Sequence, residues 1–333
     1  GNPDVLTPNI DQLAGEGMKF SHAFTATAMC APTRQQLYTG LYPVNSGAYP
    51  QNSFVRSDVR SIPHYFSEMG YRVGISGKRH YAPAENYPFE SLNTPSTQFD
   101  KEAPEMDRIS EFVNRDNEQP FFLVVASRQP HTPWNKGEVT YDPAKLTVPL
   151  DLVDTPETRQ ALAEYYREVS DFDRELGEVM EIVDQSGLVD STLFIYTSEQ
   201  GAMFPSGKWT LYDNGIRTAF VARWPGVINA GSSTEALVAY VDVVPTLAEL
   251  AGGPVPDVDG YSFASVIKGE ADKHRDYVFG VHTNLGICNG VPYPIRSVRD
   301  QHYKLIVNGL SGSEFKNNIT ERDPADYFAS WRR

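Results

Sequence analysis

The densest chemistry in the sequence lies in the run Cys30-Ala31-Pro32-Thr33-Arg34, which continues as Gln35 to Gly40. Pro32 needs no N–H and carries a helical φ, so it suits the first turn of a helix. Gly40 is placed to end that helix. Cys30 then stands at the N-terminus, where free backbone N–H groups and the positive end of the dipole favour an anion. Arg34 follows one turn later, so its guanidinium returns to the face that bears Cys30. Together these residues describe a nucleophile set against an oxyanion. Taken alone, they also read as a buried free thiol beside a structural arginine, or as half of a disulfide with Cys288.

The elements that must hold such a site alternate along the chain. Strand-like apolar runs occupy Tyr71 to Ser76, Phe121 to Ala126, Thr192 to Thr197 and Ala219 to Ala222. Helical patterns lie between them. Asn9 is placed to cap Ile10 to Glu16. Pro156 to Gln185 carries a stripe of Leu162, Tyr165, Tyr166, Val169, Phe172, Leu176, Val179 and Met180 that needs a core behind it. Asp242 to Ala251 is a further short helix. Strands separated by helices predict an α/β fold with a large, mostly parallel sheet flanked by helices. After residue 275 the texture changes. Tyr277 to Val281, Ile295 to Val298 and Tyr303 to Val307 have the spacing of a small antiparallel sheet. The predicted division is a catalytic domain over 1–274 and a small C-terminal subdomain over 275–333.

Composition narrows the function. Of 333 residues, 43 are acidic and 29 are Lys or Arg, giving a formal charge of −14 that repels nucleic acid and anionic membranes. No basic run offsets it. Only 2 cysteines are present, too few for a disulfide scaffold or a Cys-rich zinc site. No apolar stretch approaches the roughly 18 residues of a membrane span. The opening GNPDVLTPNIDQ has no initiator Met and no opening strand, and reads as the interior of a longer protein.

Six motifs in one order then resemble a family. Cys30-Ala31-Pro32-Thr33-Arg34 with Thr39-Gly40 is similar to the Cys-x-Pro-Ser/Thr-Arg…Thr-Gly signature of the type I sulfatases, in the alkaline phosphatase superfamily. Thr7 to Ala14, Gly77-Lys78-Arg79-His80, Pro130-His131, Thr197-Ser198-Glu199-Gln200-Gly201 and Gly207 to Arg217 resemble the family's other segments. Gly77 to Phe89, Phe204 to Gly207 and Tyr293 to Val298 resemble the heparan N-sulfatase (N-sulfoglucosamine sulfohydrolase) branch.

The resemblance implies that Cys30 is converted to formylglycine by a formylglycine-generating enzyme, and that its hydrate attacks the sulfur of a sulfated saccharide. It places Arg34, Lys78 and Lys208 around the sulfate, where fixed cations stabilise developing charge. His80 would serve the nucleophile and His131 the sulfate or its leaving group. Ca²⁺, with Mg²⁺ as the alternative, would be held by Glu199, Gln200 and the group at position 30. The family's usual pair at 199–200 is Asp with Asn or His, and its Asp-Asp metal pair would lie upstream of Gly1. Asp213, Asn214 and Arg217 are read as structural, and His282 as a candidate glycan contact. By analogy the protein works outside the cytoplasm. The competing readings are a phosphomonoester or phosphodiester hydrolase of the superfamily, and an inactive sulfatase-like protein that binds glycans.

Overall fold

The computed structural model describes residues 2–95, 103–287, 292–321 and 326–331. Helix α1 (Pro8–Glu16), strands β1 (Met18–Phe20) and β2 (Ala23–Phe24), and helices α2 (Cys30–Thr39), α3 (Pro43–Ser46) and α4 (Ile62–Glu68) open the chain. Strands β3 (Arg72–Gly77) and β4 (Glu90–Ser91), helix α5 (Met106–Asn114) and strand β5 (Phe121–Ala126) follow. Helix α6 (Pro156–Gln185) leads to β6 (Phe194–Thr197), α7 (Asp213–Ile216), β7 (Arg217–Thr218) and β8 (Phe220–Arg223). After β9 (Ser232–Thr234) and β10 (Val238–Ala239) come helices α8 (Val243–Leu250) and α9 (Ala264–Ile267). The C-terminal part holds β11 (Val278–His282), β12 (Ile295–Arg299), β13 (Lys304–Asn308), α10 (Asn318–Glu321) and α11 (Asp326–Ser330).

The architecture is α/β, as the alternation predicts. Strands β4, β3 and β5 pair in parallel, while β6, β8 and β1 pair antiparallel with β9 parallel at the edge. Strands β11, β12 and β13 form the expected antiparallel sheet. Helix α6 covers its predicted span, and Thr155 caps it by accepting the N–H of Thr158 at 3.1 Å. Its apolar stripe packs in two directions. Leu176 and Met180 share a core with Leu13 and Val221 on which Phe194 and Tyr196 of β6 pack, while Ile182 packs with Phe121, Leu123 and Val125 of β5 on the core around Ile109 and Phe112. Each such buried side chain contributes about 1.5–3 kcal/mol. One helix thereby fixes β5 and β6 relative to each other, and both strands end at the site.

Two local expectations change. Helix α1 begins at Pro8 rather than Ile10, and Asn9 does not cap it. Asp173 of α6 instead accepts the N–H groups of Asn9 and Ile10, at 3.1 and 2.7 Å, and also the Asn9 side-chain amide at 2.8 Å. A buried carboxylate from another helix satisfies the free donors better than a neighbouring amide. The conceivable partner of Cys30 in a disulfide, Cys288, lies outside the described residues; Cys30 is a free thiol. Among the described residues no helix is long and apolar enough to cross a membrane.

Candidate active site

Helix α2 is bounded as its sequence predicts. It starts at Cys30, and Gly40 closes it in the left-handed region at φ 72°, donating its N–H to the Gln36 carbonyl at 3.0 Å. Cys30 is buried at this N-terminus, only 2% exposed. Strands β3 and β5 are parallel, so their C-terminal ends open on one side, where ligands of such sheets bind. Gly77 makes the turn out of β3 at φ 90°, and an added Cβ would stand 2.2 Å from the Ala126 carbonyl oxygen. That close approach places Lys78, whose N–H donates to the same carbonyl at 2.8 Å.

Glu199, just beyond β6, is gripped from two sides. Its Oε1 lies 2.6 Å from Arg34 Nε and its Oε2 lies 3.4 Å from Lys78 Nζ. Arg34 also donates to the Lys78 carbonyl at 3.1 Å. Lys208 arrives from the loop after β6 and sets Nζ 3.1 Å from Cys30 Sγ. Gln200 points Nε2 at Glu199 Oε2, 3.3 Å away, and at the thiol, 3.8 Å away, leaving its Oε1 buried without a partner. Cys30, Arg34, Lys78, Glu199, Gln200 and Lys208 are therefore one contiguous cluster, although they come from four segments of the chain.

Its electrostatics follow from this geometry. Burial and the Glu199 charge push the Cys30 thiol up, but Lys208, Lys78 and a hydrogen bond with His131 outweigh them and hold it well below the usual thiol range. Burial likewise opposes ionisation of Glu199, yet Arg34, Lys78, Lys208 and His80 hold its carboxyl well below the usual carboxylate range. Three cations thus face one carboxylate and one thiol. The pocket is positive inside an acidic protein.

Two histidines adjoin the cluster. His131 Nδ1 lies 2.7 Å from the Thr132 carbonyl oxygen, which can only accept, so Nδ1 carries the proton and Nε2 is left for the thiol. Glu168 of α6 fixes that loop by accepting the N–H groups of His131 and Lys136, each at 3.0 Å. His80 Nε2 lies 2.8 Å from Asn52 Oδ1. His282 is not in this cluster. It is buried at the end of β11 with Nε2 2.9 Å from Asn284 Oδ1, so no glycan can reach it without rearrangement. Asp213 is structural, as read, and ties its loop to Arg299 and Lys304.

Sequence reasoning missed three residues that position the site. Asn52 holds His80, and Glu168 holds the His131 loop. Trp209 lies under Lys208, whose Nζ is 5.0 Å from the indole centroid, and adopts a left-handed φ of 74°. A bulky residue in that conformation is strained, which is common beside functional groups. Only Trp209 carried a signal, by following the lysine of a motif.

The expected metal ligands are the weaker part of the site. A hard cation such as Ca²⁺ takes six to eight oxygens. Glu199 and the unpartnered Gln200 Oε1 offer two donors, and no cluster of three or more His, Cys, Asp and Glu side chains suited to a metal occurs among the described residues. By themselves these residues do not fit a metal ion.

Comparison with known proteins agrees with the geometry. A sulfatase family profile matches residues 1–253, and a profile for the C-terminal part of N-sulphoglucosamine sulphohydrolase matches residues 204–328. An ulvan-active sulfatase of Formosa agariphila is 36% identical across 98% of this chain, and human N-sulphoglucosamine sulphohydrolase is 29% identical across 92%. The chain spans 66% and 69% of those two relatives' lengths. In fold it is similar to a protein solved with its substrate D-glucosamine-2-N,6-O-disulfate, with TM-score 0.77 at 20% identity, covering 96% of this chain and 87% of that one. A phosphonate monoester hydrolase from Silicibacter pomeroyi has TM-score 0.72 at 20% identity, covering 99% and 89%. With the profile spanning most of its length, the chain belongs to the sulfatase family.

Proposed function

We propose that this chain is the catalytic part of a sulfohydrolase that removes sulfate from a sulfated sugar, either N-sulfoglucosamine or an O-sulfated glycan. The observation that carries the reading is the position of Cys30, buried at a helix N-terminus with Lys208 Nζ 3.1 Å from its sulfur. Its Sγ marks where the hydroxyls of a hydrated formylglycine would stand, and that group supplies the nucleophile once a formylglycine-generating enzyme has acted. Arg34, Lys78 and Lys208 hold the sulfate oxygens and the charge that grows on them. His80 accepts a proton from the group at position 30. His131, when its Nε2 is protonated, gives that proton to the departing sugar oxygen or nitrogen.

The substrate class is supported by the likeness to human N-sulphoglucosamine sulphohydrolase and by the disulfated glucosamine in the structural relative. A divalent cation, Ca²⁺ or Mg²⁺, would use Glu199, Gln200 and the group at position 30, a set that needs further oxygen donors. A rise in melting temperature on adding Ca²⁺, absent in Glu199→Gln, tests that assignment without an activity assay. The same family relationship supports a site of action outside the cytoplasm.

The test of function is sulfate release from N-sulfated glucosamine and aryl sulfate, alongside phosphate release from aryl phosphate. Protein from a host that converts the cysteine should release sulfate, show formylglycine in the mass of the Cys30 peptide, and lose all activity in Cys30→Ala. Phosphate release without sulfate release would move the chain to the phosphate-ester hydrolases. A bound sulfated sugar with no turnover would make it a glycan-binding protein.

A further inference from the structure

His80 leaves β3 through a backbone conformation that disfavours it, with φ at 47°, and its partner Asn52 is left-handed as well, at φ 61°. Two neighbouring residues held this way are over-determined by their surroundings. The surroundings are visible. Gln51 accepts the N–H of Ala31 on Oε1 at 3.4 Å, and its own N–H donates to the Leu285 carbonyl at 3.0 Å. Gln35 of α2 donates to the Ser53 carbonyl at 3.0 Å. The segment 50–53 is therefore fastened to the helix that carries Cys30, and Asn52 extends from it to His80.

The hydrogen bond itself has only one sense. Asn52 Oδ1 accepts and cannot donate, so His80 Nε2, 2.8 Å away, must carry the proton. A neutral imidazole carries one ring proton, so Nδ1 is then bare. That Nδ1 is buried and has no hydrogen-bond partner. His131 is the mirror case, with its proton held on Nδ1 by the Thr132 carbonyl. The two histidines offer opposite ring nitrogens.

We propose that Asn52 is a positioning residue that locks His80 in the Nε2–H tautomer and thereby makes buried Nδ1 its proton-accepting atom. The inference deepens the sulfohydrolase reading and rests on it only for the kinetic consequence. The tautomer is a property of the folded chain and can be read without any substrate.

The experiment uses the whole chain labelled with ¹⁵N-histidine, followed through an alkaline pH series, with His80 assigned from its missing signals in His80→Gln. Wild type should show a protonated Nε2 and a bare Nδ1 at His80. Asn52→Gly, which suits the left-handed backbone and removes only the side chain, should shift His80 toward the Nδ1–H form. Asn52→Asp, which keeps an acceptor in place, should retain Nε2–H. In sulfate release, Asn52→Gly should lower kcat by about ten- to a hundred-fold with KM little changed, and Asn52→Asp should recover most of it. An Nδ1–H tautomer in wild type, or an unchanged tautomer in Asn52→Gly, overturns the proposal even if the enzyme hydrolyses sulfate. The expected tautomers in a protein that turns over no sulfated sugar would uphold the positioning role and sink the sulfohydrolase reading instead.

Discussion

Two carboxylates in this molecule are each held between an arginine and a lysine. Glu199 lies 2.6 Å from Arg34 and 3.4 Å from Lys78 in the pocket. Asp213 lies 3.2 Å from Arg299 and 2.8 Å from Lys304, where the start of α7 meets β12 and β13. Both are held below the usual carboxylate range against the cost of burial. The surroundings differ. Asp213, Arg299 and Lys304 leave no buried side-chain polar atom without a partner, and Arg299 also donates to the Gln301 carbonyl at 3.3 Å. Around Glu199 a third cation, Lys208, is left over for Cys30. A matched knot fastens one element to another. The pocket, where three cations face a single carboxylate, offers more positive charge than the two cations on Asp213 and attracts an anion.

The strongest way to break this contrast is to remove the surplus charge. Lys208→Met should lower kcat/KM for sulfate release by about 10²–10³-fold, as loss of one preorganised donor does. An effect under a few-fold would mean that the third cation is idle. Asp213→Asn should do the opposite. It should cost about 1–3 kcal/mol of stability in chemical denaturation, because Arg299 and Lys304 lose their counter-charge in a half-buried place. It should leave kcat per folded molecule nearly unchanged, and a fall as large as that of Lys208→Met would erase the distinction between the two knots.

A third effect sharpens the account of acid sensitivity on the C-terminal side. His282, the last residue of β11, is fully buried, and burial pushes its imidazole down to about 4 from 6.5 despite the acceptor on Asn284. The unfolded chain takes up this proton near pH 6.5 and the folded chain does not. Stability is therefore complete above pH 6.5 and falls as pH drops toward about 4, by about 3 kcal/mol in all. His282→Gln should flatten that limb of the stability profile. If the limb persists, the acid sensitivity belongs to other groups.

Much of the scaffold was legible because it obeys local rules. Pro32 and Gly40 bound α2, the stripe from Leu162 to Met180 marks α6, and the run Phe121 to Ala126 is β5 as read. Asn9 shows where such rules stop. A nearby amide was outcompeted for the free N–H groups of α1 by Asp173, 164 residues away from Asn9. The site behaves in the same way. Types and motifs brought Cys30, Arg34, Lys78, Glu199, Gln200 and Lys208 forward, yet nothing local says that Glu199 joins Arg34 across 165 residues rather than facing a metal alone. Asn52 and Glu168 were invisible for the same reason, since their roles exist only in contact with His80 and the His131 loop. Helix and strand periodicity reports which face is buried, not which distant partner a polar group meets there.

The claim that the pocket holds surplus positive charge is tested most directly on protein whose Cys30 has not been converted, by the rate at which its thiol is alkylated as pH is varied. The account predicts that wild type titrates well below the ordinary thiol value of 9.0 and that Lys208→Met titrates clearly higher. An ordinary thiol value in wild type, unmoved by Lys208→Met, would contradict it.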